Sequence, residues 1–275
     1  MKENDIRPKK IFDEYLRLTK EDIKKYFSKA ELEHITCPAC ENDGEFSFLK
    51  ENFSYYECDN CKTLYVNPRP KNKHFNDYYT DSASTKYWAT TFYKETEDAR
   101  REKIWKYKAK LINDKLNTFL DDNFTLLDIG GGYGTFCEEM LPYLHNKPII
   151  IEPSTHLSKV ARSKGFVVIE KFLEDINSSD FEKNKKCFTS FELFEHLHDP
   201  KKFLEVLYGV MNKGDLFIFT TLSSIGADIQ VLWENSNSVH PPHHLNFLNP
   251  KSISILLQNI GYQVEEVTTP GKLDI

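Results

Sequence analysis

Apolar and polar positions along the chain change period three times. Over residues 9–33 (KKIFDEYLRLTKEDIKKYFSKAELE) apolar side chains recur at helical spacing, with Thr19 and Glu21-Asp22 offering a cap. The stretch FSFLKENFSYYE is aromatic and partly alternating, which predicts a β-hairpin with Asn52 near its tip. Asn67-Pro68-Arg69-Pro70 reads as an extended, punctuated exit. Residues 72–120 are aromatic-rich, contain no glycine and predict mostly helix. From residue 121 the pattern alternates between strand and helix. Strands are predicted at 124–129, 147–152, 166–169, 185–191, 214–221 and 262–268, and helices at 134–144, 155–164, 200–211 and 250–260. That alternation implies an α/β, doubly wound parallel sheet with helices on both faces. The chain thus divides into a helical segment (1–33), a small cysteine-bearing segment (34–70), a helical connector (71–120) and a sheet domain (121–275).

Composition narrows the class without naming a chemistry. With 40% hydrophobic and 28% charged residues, the 275-residue chain is globular rather than disordered or collagen-like. Its first residues, MKENDIRPKKIF, lack the apolar core of a secretory signal, and no apolar run reaches the roughly 18–20 residues of a membrane span. A cytoplasmic location is expected. The net charge of −6 is uneven: residues 71–120 carry 11 basic and 7 acidic side chains, and residues 121–275 carry 13 and 21. An acidic largest segment disfavours nucleic acid as a partner.

Four of the six cysteines form two pairs, Cys37-Pro-Ala-Cys40 and Cys58-Asp-Asn-Cys61, with 17 residues between them. This is the spacing of a structural zinc site, in which each tight turn supplies one edge of a tetrahedron. Redox pairs or disulfides would be the alternative, but disulfides are rare in a cytosolic chain. Cys137 and Cys187 lie in apolar contexts and read as buried bystanders.

The sharpest chemical signal is Leu126-Leu127-Asp128-Ile129-Gly130-Gly131-Gly132-Tyr133-Gly134, a buried strand running into a glycine turn and then a helix. A dinucleotide fingerprint would be G-x-G-x-x-G. Here position 135 is Thr, and the pattern is G-x-G-x-G. Twenty-two residues after Gly130, the strand Ile149-Ile150-Ile151 ends in Glu152, an acid placed to accept from both hydroxyls of a ribose.

At these residues the chain resembles the class I S-adenosylmethionine (SAM)-dependent methyltransferases. LLDIGGGYGTF is similar to their first motif and IIIEPS to the next; FELFEHLHDPKKFLEVLYGVMNKGDLFIFTT and HHLNFLNPKSISILLQNIGYQVEEV resemble later ones. The likeness covers about residues 121–270. It implies SAM as cofactor, with Glu152 on the ribose and Asp128, Gly130, Gly131, Gly132, Tyr133 and Gly134 beside its amino-acid part. Phe191 would sit at the fourth strand's tip, and Phe172 would meet the adenine.

Methyl transfer asks the protein to orient an acceptor and, where needed, remove a proton. His196, in Glu192-Leu193-Phe194-Glu195-His196, is the candidate general base, with Glu195 to orient or polarise it. Structural packing is an alternative for His196. Another gives Glu192, Glu195 and His196 a divalent cation, since E-x-x-E-H resembles metal-binding ubiquinone-pathway O-methyltransferases. His240, His243 and His244 read as a loop over an acceptor pocket rather than ligands of one ion, with His244 touching the acceptor. The Tyr/Trp-rich 78–107 stretch reads as core, or as a lid in which Tyr79, Trp88 or Arg100 reaches inward.

A zinc ribbon ahead of such a domain, with V-N-P-R-P and the aromatic run behind it, resembles bacterial deoxysugar C-methyltransferases. The expected activity is C- or O-methylation of a small, sugar-derived acceptor in polysaccharide or natural-product biosynthesis. Two alternatives remain at this point: an RNA methyltransferase gripping its substrate with the ribbon, and a non-catalytic cofactor-binding interaction protein. Because the chain stops just after the 262–268 segment, a truncated sheet lacking its seventh strand is also expected.

Overall fold

The computed structural model describes residues 3–121, 123–177, 181 and 184–270. Helices α1 (Glu3–Ile6) and α2 (Lys9–Tyr26) precede strands β1 (Leu32–Glu33), β2 (Gly44–Lys50), β3 (Phe53–Cys58), β4 (Leu64–Val66) and β5 (Arg69–Pro70). Helices α3 (Asn72–Asp81), α4 (Ala83–Tyr87), α5 (Tyr93–Arg100) and α6 (Lys106–Phe119) follow, interrupted by π-helical turns at Trp88–Phe92 and Arg101–Trp105. The alternating part contains β6 (Phe124–Ile129), α7 (Thr135–Met140), β7 (Ile149–Ile151), α8 (Thr155–Ser163), β8 (Val167–Ile169) and β9 (Lys185–Phe191). It continues through α9 (Pro200–Val210), β10 (Leu216–Thr220), α10 (Ala227–Leu232), β11 (Asn246–Phe247) and α11 (Pro250–Ile260). Among the described residues no helix is long and apolar enough to cross a membrane.

Two compact units result. The first takes the N-terminal residues up to Pro8, Ala89–Phe191 and Val206–Thr220. Its sheet is parallel throughout, in the order β10-β9-β6-β7-β8. Leu126, Leu127, Ile129, Ile150, Ile151 and Phe188 are all buried, because a parallel sheet is covered on both faces and its central strands are mostly apolar, with Asp128 and Thr189 as buried polar exceptions. Ala109, Ile112 and Leu116 of α6 join Phe136, Met140, Ala161 and Phe166 in one core cluster. Strand order reverses at β6, which has β7 on one side and β9 on the other, so Gly130 starts the loop at the switch point.

The predicted strand at 262–268 does not form. Tyr262 to Thr268 is irregular and mostly exposed, and among the described residues the parallel sheet has five strands. Alternation in that segment specifies which face a strand would bury, not whether a sheet edge pairs with it.

The second unit takes Lys9–Trp88, Glu192–Glu205 and the residues from Thr221 onward. An antiparallel sheet in the order β11-β4-β3-β2 forms its centre, with β1 and β5 paired beside it. The hairpin of β2 and β3 turns at Glu51 (φ 48°) and Asn52 (φ 67°), and two positive φ values in a two-residue loop match the right-handed twist of the strands. Phe27, Phe48, Phe53, Tyr55, Val66, Phe75, Tyr78, Leu245 and Phe247 make its core. Thr19 does not cap: α2 runs through it, and its buried hydroxyl donates to the Tyr15 carbonyl. Asp22 instead accepts from the Ser84 amide, which opens α4.

Candidate functional site

In the parallel-sheet unit the glycine loop is shaped by two acids. Asp128 is buried next to the last residue of β6, where its Oδ1 accepts from the Thr189 hydroxyl at 2.8 Å across the β6–β9 register. Burial pushes its carboxyl up to about 7. A Cβ on Gly131 would stand 2.7 Å from Asp128 Oδ2, so only glycine fits there. Gly130, Gly132 and Gly134 have φ of 73°, 55° and 74°. Glu152 follows β7, and its two oxygens accept from the amides of Ser154 (2.9 Å) and Gly132 (3.1 Å). Burial raises its pKa while those two amides oppose the rise. Tyr133 is buried, donates its hydroxyl to the Ala89 carbonyl and meets the Tyr93 ring edge-on at 4.9 Å. Phe191 packs on Phe136 at 4.5 Å and on Trp105 at 5.9 Å. Phe172 stands apart: it is 60% exposed.

In the other unit the four cysteines converge. Sγ–Sγ distances are 3.5 Å for Cys37–Cys61 and 3.4 Å for both Cys40–Cys58 and Cys40–Cys61, and all four sulfurs lie within 4.8 Å of one another. A tetrahedron with metal–sulfur bonds of about 2.3 Å has edges of about 3.8 Å, whereas a disulfide is about 2.05 Å long. None of the six cysteines is bonded to another. Each knuckle closes in the same way: Glu41 N donates to Cys37 O, Lys62 N donates to Cys58 O, and Glu41 and Lys62 both have positive φ. These four thiols fit a tetrahedral, fully protein-ligated ion.

The same unit gathers the candidate proton-transfer residues. Glu195 and His196 lie on the single 3-10 turn Phe194–His196, which Glu192 opens with a φ of 51°. Glu195, 1% exposed, accepts from the Thr221 hydroxyl at 2.8 Å; burial, with Glu192 adding to it, pushes its carboxyl up to about 8. The His196 and His244 rings meet edge-on at 4.8 Å, and the ligating atoms of Glu195, His196 and His244 lie within 4.8 Å of one another. Burial first, then His244 and His240, push the His196 imidazolium well below its ordinary range. His244 Nδ1 donates to the Ser238 carbonyl at 2.5 Å, which makes its Nε2 the acceptor nitrogen. His243 is taken up elsewhere, by the buried Tyr78 hydroxyl at 2.6 Å. Of the three loop histidines only His244 joins such a cluster, as the reading of a loop rather than a three-histidine ion site expects, and His244 rather than Glu192 completes it with Glu195 and His196. Tyr79 lies against the His243 ring at 6.0 Å and Trp88 against Tyr15 at 4.7 Å, while Arg100, in the parallel-sheet unit, lies over Tyr93 at 5.7 Å. Thr189, Thr221 and Tyr78 carry no signal of these roles in the sequence, because each is defined by a partner far along the chain.

Residues 101–267, more than half of the chain, match the family described as a methyltransferase domain, and the chain belongs to that family. No curated protein sequence matches it. Among solved structures it is similar to the plantazolicin methyltransferase BpumL in complex with a monoazolic desmethylPZN analog and SAH, at TM-score 0.51 and 16% identity, over 68% of this chain and 73% of that one. A SAM-dependent methyltransferase from Thermotoga maritima is similar at TM-score 0.45 and 18% identity, over 63% of this chain and 80% of that one. The sugar N-methyltransferase KedS8 from Streptoalloteichus sp. is similar at TM-score 0.40 and 13% identity; the alignment covers 49% of this chain and 55% of KedS8. At such identities the likeness concerns the fold. Family and fold together define a SAM-dependent methyltransferase.

The parallel-sheet unit suits that cofactor. A carboxylate has about four acceptor positions, and Glu152 gives one per oxygen to backbone amides, leaving acceptor capacity for two vicinal hydroxyls. A Cβ on Gly132 would have nothing within 4 Å, so the backbone there opens onto space and leaves room for a ligand to approach closely. Replacing Glu152 with Ala should weaken SAM binding by about 10- to 100-fold, as read by calorimetry, with Glu152→Gln in between, since a hydrogen-bonded charged group is worth about 1.5–3 kcal/mol. Asp128 makes a second test. Its folded-state pKa lies above that of an unfolded aspartate, so its contribution favours folding at low pH and is lost as pH rises through about 7. Urea melts of Asp128→Asn from pH 4 to 8 should show a smaller decline over that window than the parent protein.

Proposed function

We propose that this methyltransferase acts on a small, sugar-derived acceptor, a sugar or nucleotide-sugar, and that Cys37, Cys40, Cys58 and Cys61 hold a structural zinc ion. The observation that carries the reading is the convergence of Glu195, His196 and His244 within 4.8 Å. Such a cluster is suited to moving a proton on a hydroxyl or beside a carbonyl. The sugar is supported by the resemblance of the cysteine segment, V-N-P-R-P and the aromatic run to deoxysugar C-methyltransferases.

When bound, SAM supplies an electrophilic methyl group on a sulfonium that leaves as a thioether. His196, held neutral by burial and by His244 and His240, offers a lone pair at pH 7 to take a proton from a hydroxyl or from carbon next to a carbonyl. Glu195, with its carboxyl pushed up to about 8, is protonated at neutral pH and can donate to an acceptor oxygen, and the Thr221 hydroxyl fixes its other oxygen. His244, with its proton on Nδ1, accepts a hydroxyl hydrogen at Nε2. The zinc takes no part in the transfer, because a four-thiolate site keeps no open position.

Labelled SAM offered to nucleotide-sugars, keto-sugars among them, and in parallel to tRNA and rRNA should label the sugars alone. His196→Ala should lower that turnover by about 100-fold or more. Glu195 works protonated in this scheme, so the rate should fall as pH rises above about 8, and Glu195→Gln should remove that limb. Labelled RNA with no labelled sugar would overturn the reading.

A second reading gives Glu195, His196 and His244 a divalent cation, favoured by the same convergence. Metal analysis separates the two. One zinc per chain, removed by chelator together with the cooperative melting of the cysteine-bearing unit and absent in Cys58→Ser, is the expected result. A second equivalent that survives Cys58→Ser and is lost in His244→Ala would move the cluster to the cation reading.

A further inference from the structure

The motif Val66-Asn67-Pro68-Arg69-Pro70 has no task in the scheme above, yet its arginine is among the most buried side chains of the cysteine-bearing unit, 1% exposed. Its Nε donates to the Val66 carbonyl at 3.2 Å, Nη1 to the His198 carbonyl at 2.6 Å and Nη2 to Asn246 Oδ1 at 3.0 Å. Asn246 Nδ2 in turn donates to the Leu197 carbonyl at 2.7 Å. His198 returns a bond from Nε2 to the Pro70 carbonyl at 3.0 Å. On the other side of His196, the Leu245 amide donates to the Glu195 carbonyl at 2.6 Å, and the Leu245 carbonyl accepts from Val66. The carbonyls of residues 195, 197 and 198 are thus each held, and every one of those bonds leads to the strip formed by β4, β5 and β11.

Among the described residues no carboxylate comes within ion-pairing distance of Arg69; its acceptors are two carbonyls and an amide oxygen. Burial accordingly lowers its pKa, opposed at longer range by Asp199 and Glu33. A buried cation without a contacting anion is a poor way to gain stability, and an apolar side chain of similar volume would cost less. What the guanidinium offers instead is geometry: a rigid planar fork that reaches three acceptors on three chain segments at once.

We propose that Arg69, acting through Asn246, is the positioning residue of the Glu195–His196 turn. This rests on the proton-transfer role proposed for that turn. The guanidinium touches no reacting atom; it fixes the turn against the exit strand of the cysteine segment, so that His196 meets His244.

The test uses the full chain carrying Arg69→Met, Arg69→Lys, Asn246→Leu or His196→Ala. It reads the nuclear Overhauser effect between the His196 and His244 rings, binding of S-adenosylhomocysteine, zinc content, and methyl transfer from labelled SAM to the small-molecule fraction of a cell extract. In Arg69→Met the ring-to-ring effect should fall by about half or more and turnover by about 100-fold, the scale of an ångström-sized misplacement. Binding of S-adenosylhomocysteine and zinc content should stay unchanged, and Arg69→Lys should recover only part of the loss. A folded Arg69→Met with the ring contact intact would overturn the proposal. If Arg69→Met does not fold, Asn246→Leu decides in the same way, because it removes the Leu197 bond and one arm of the fork. Undiminished turnover of His196→Ala would sink the base reading by itself, and the ring contact would still decide the positioning role of Arg69.

Discussion

The backbone of one residue, Leu245, joins the strands of the cysteine-bearing unit to its chemistry. Its amide hydrogen goes to the carbonyl of Glu195 and its carbonyl oxygen to the amide of Val66. A buried backbone group must find a partner, and here both groups are satisfied by segments that lie far apart in the sequence. The pairing puts His244 on one side of Leu245 and Asn246 on the other, so the first ring faces His196 and the second side chain meets Arg69. The antiparallel pairing of β11 with β4 continues the same line. Without that junction the acid and the two histidines would be three local features of a sequence; with it they form one cluster.

This also separates what could be read from the chain and what could not. The strand at 124–129, the glycine turn, the acid after the second strand and the four cysteines are local in origin, each set by residues a few positions apart. Periodicity and spacing find them. The strands at 147–152 and 214–221 shorten to Ile149–Ile151 and Leu216–Thr220, since the residues flanking the apolar run, Lys147, Glu152, Gly214 and Asp215 among them, lie outside the pairing. Two readings failed for the opposite reason. Tyr262–Thr268 alternates like a strand but is not paired, and Thr19 has the chemistry of a cap but lies inside a helix whose periodicity runs through it. The convergence of His196 with His244 was hidden as well. It depends on where β11 lands, and a two-residue strand carries almost no pattern.

The acidic surplus of residues 121–275 looks different once its members are placed. Asp128, Glu152 and Glu195 are buried, and burial raises the pKa of each. Each is met mainly by neutral donors, namely a threonine hydroxyl, two backbone amides and a second threonine hydroxyl. Neutral donors hold a carboxyl in place without committing it to the ionised state. That leaves Glu195 able to donate a hydrogen at neutral pH, which a lysine or arginine partner would have prevented.

The crowding at Gly131 bears on how sequences of this kind are compared. The obstacle to a side chain there is Asp128 Oδ2, with Ile150 close behind. Both belong to the protein. Selection for glycine at 131 therefore acts through the aspartate and the sheet, whatever ligand the loop serves. A relative that has lost the cofactor but kept Asp128 should keep this glycine too, whereas Gly132, which faces open space, would be released to vary within the limits of its backbone conformation. The pair of positions distinguishes a retained fold from a retained binding site.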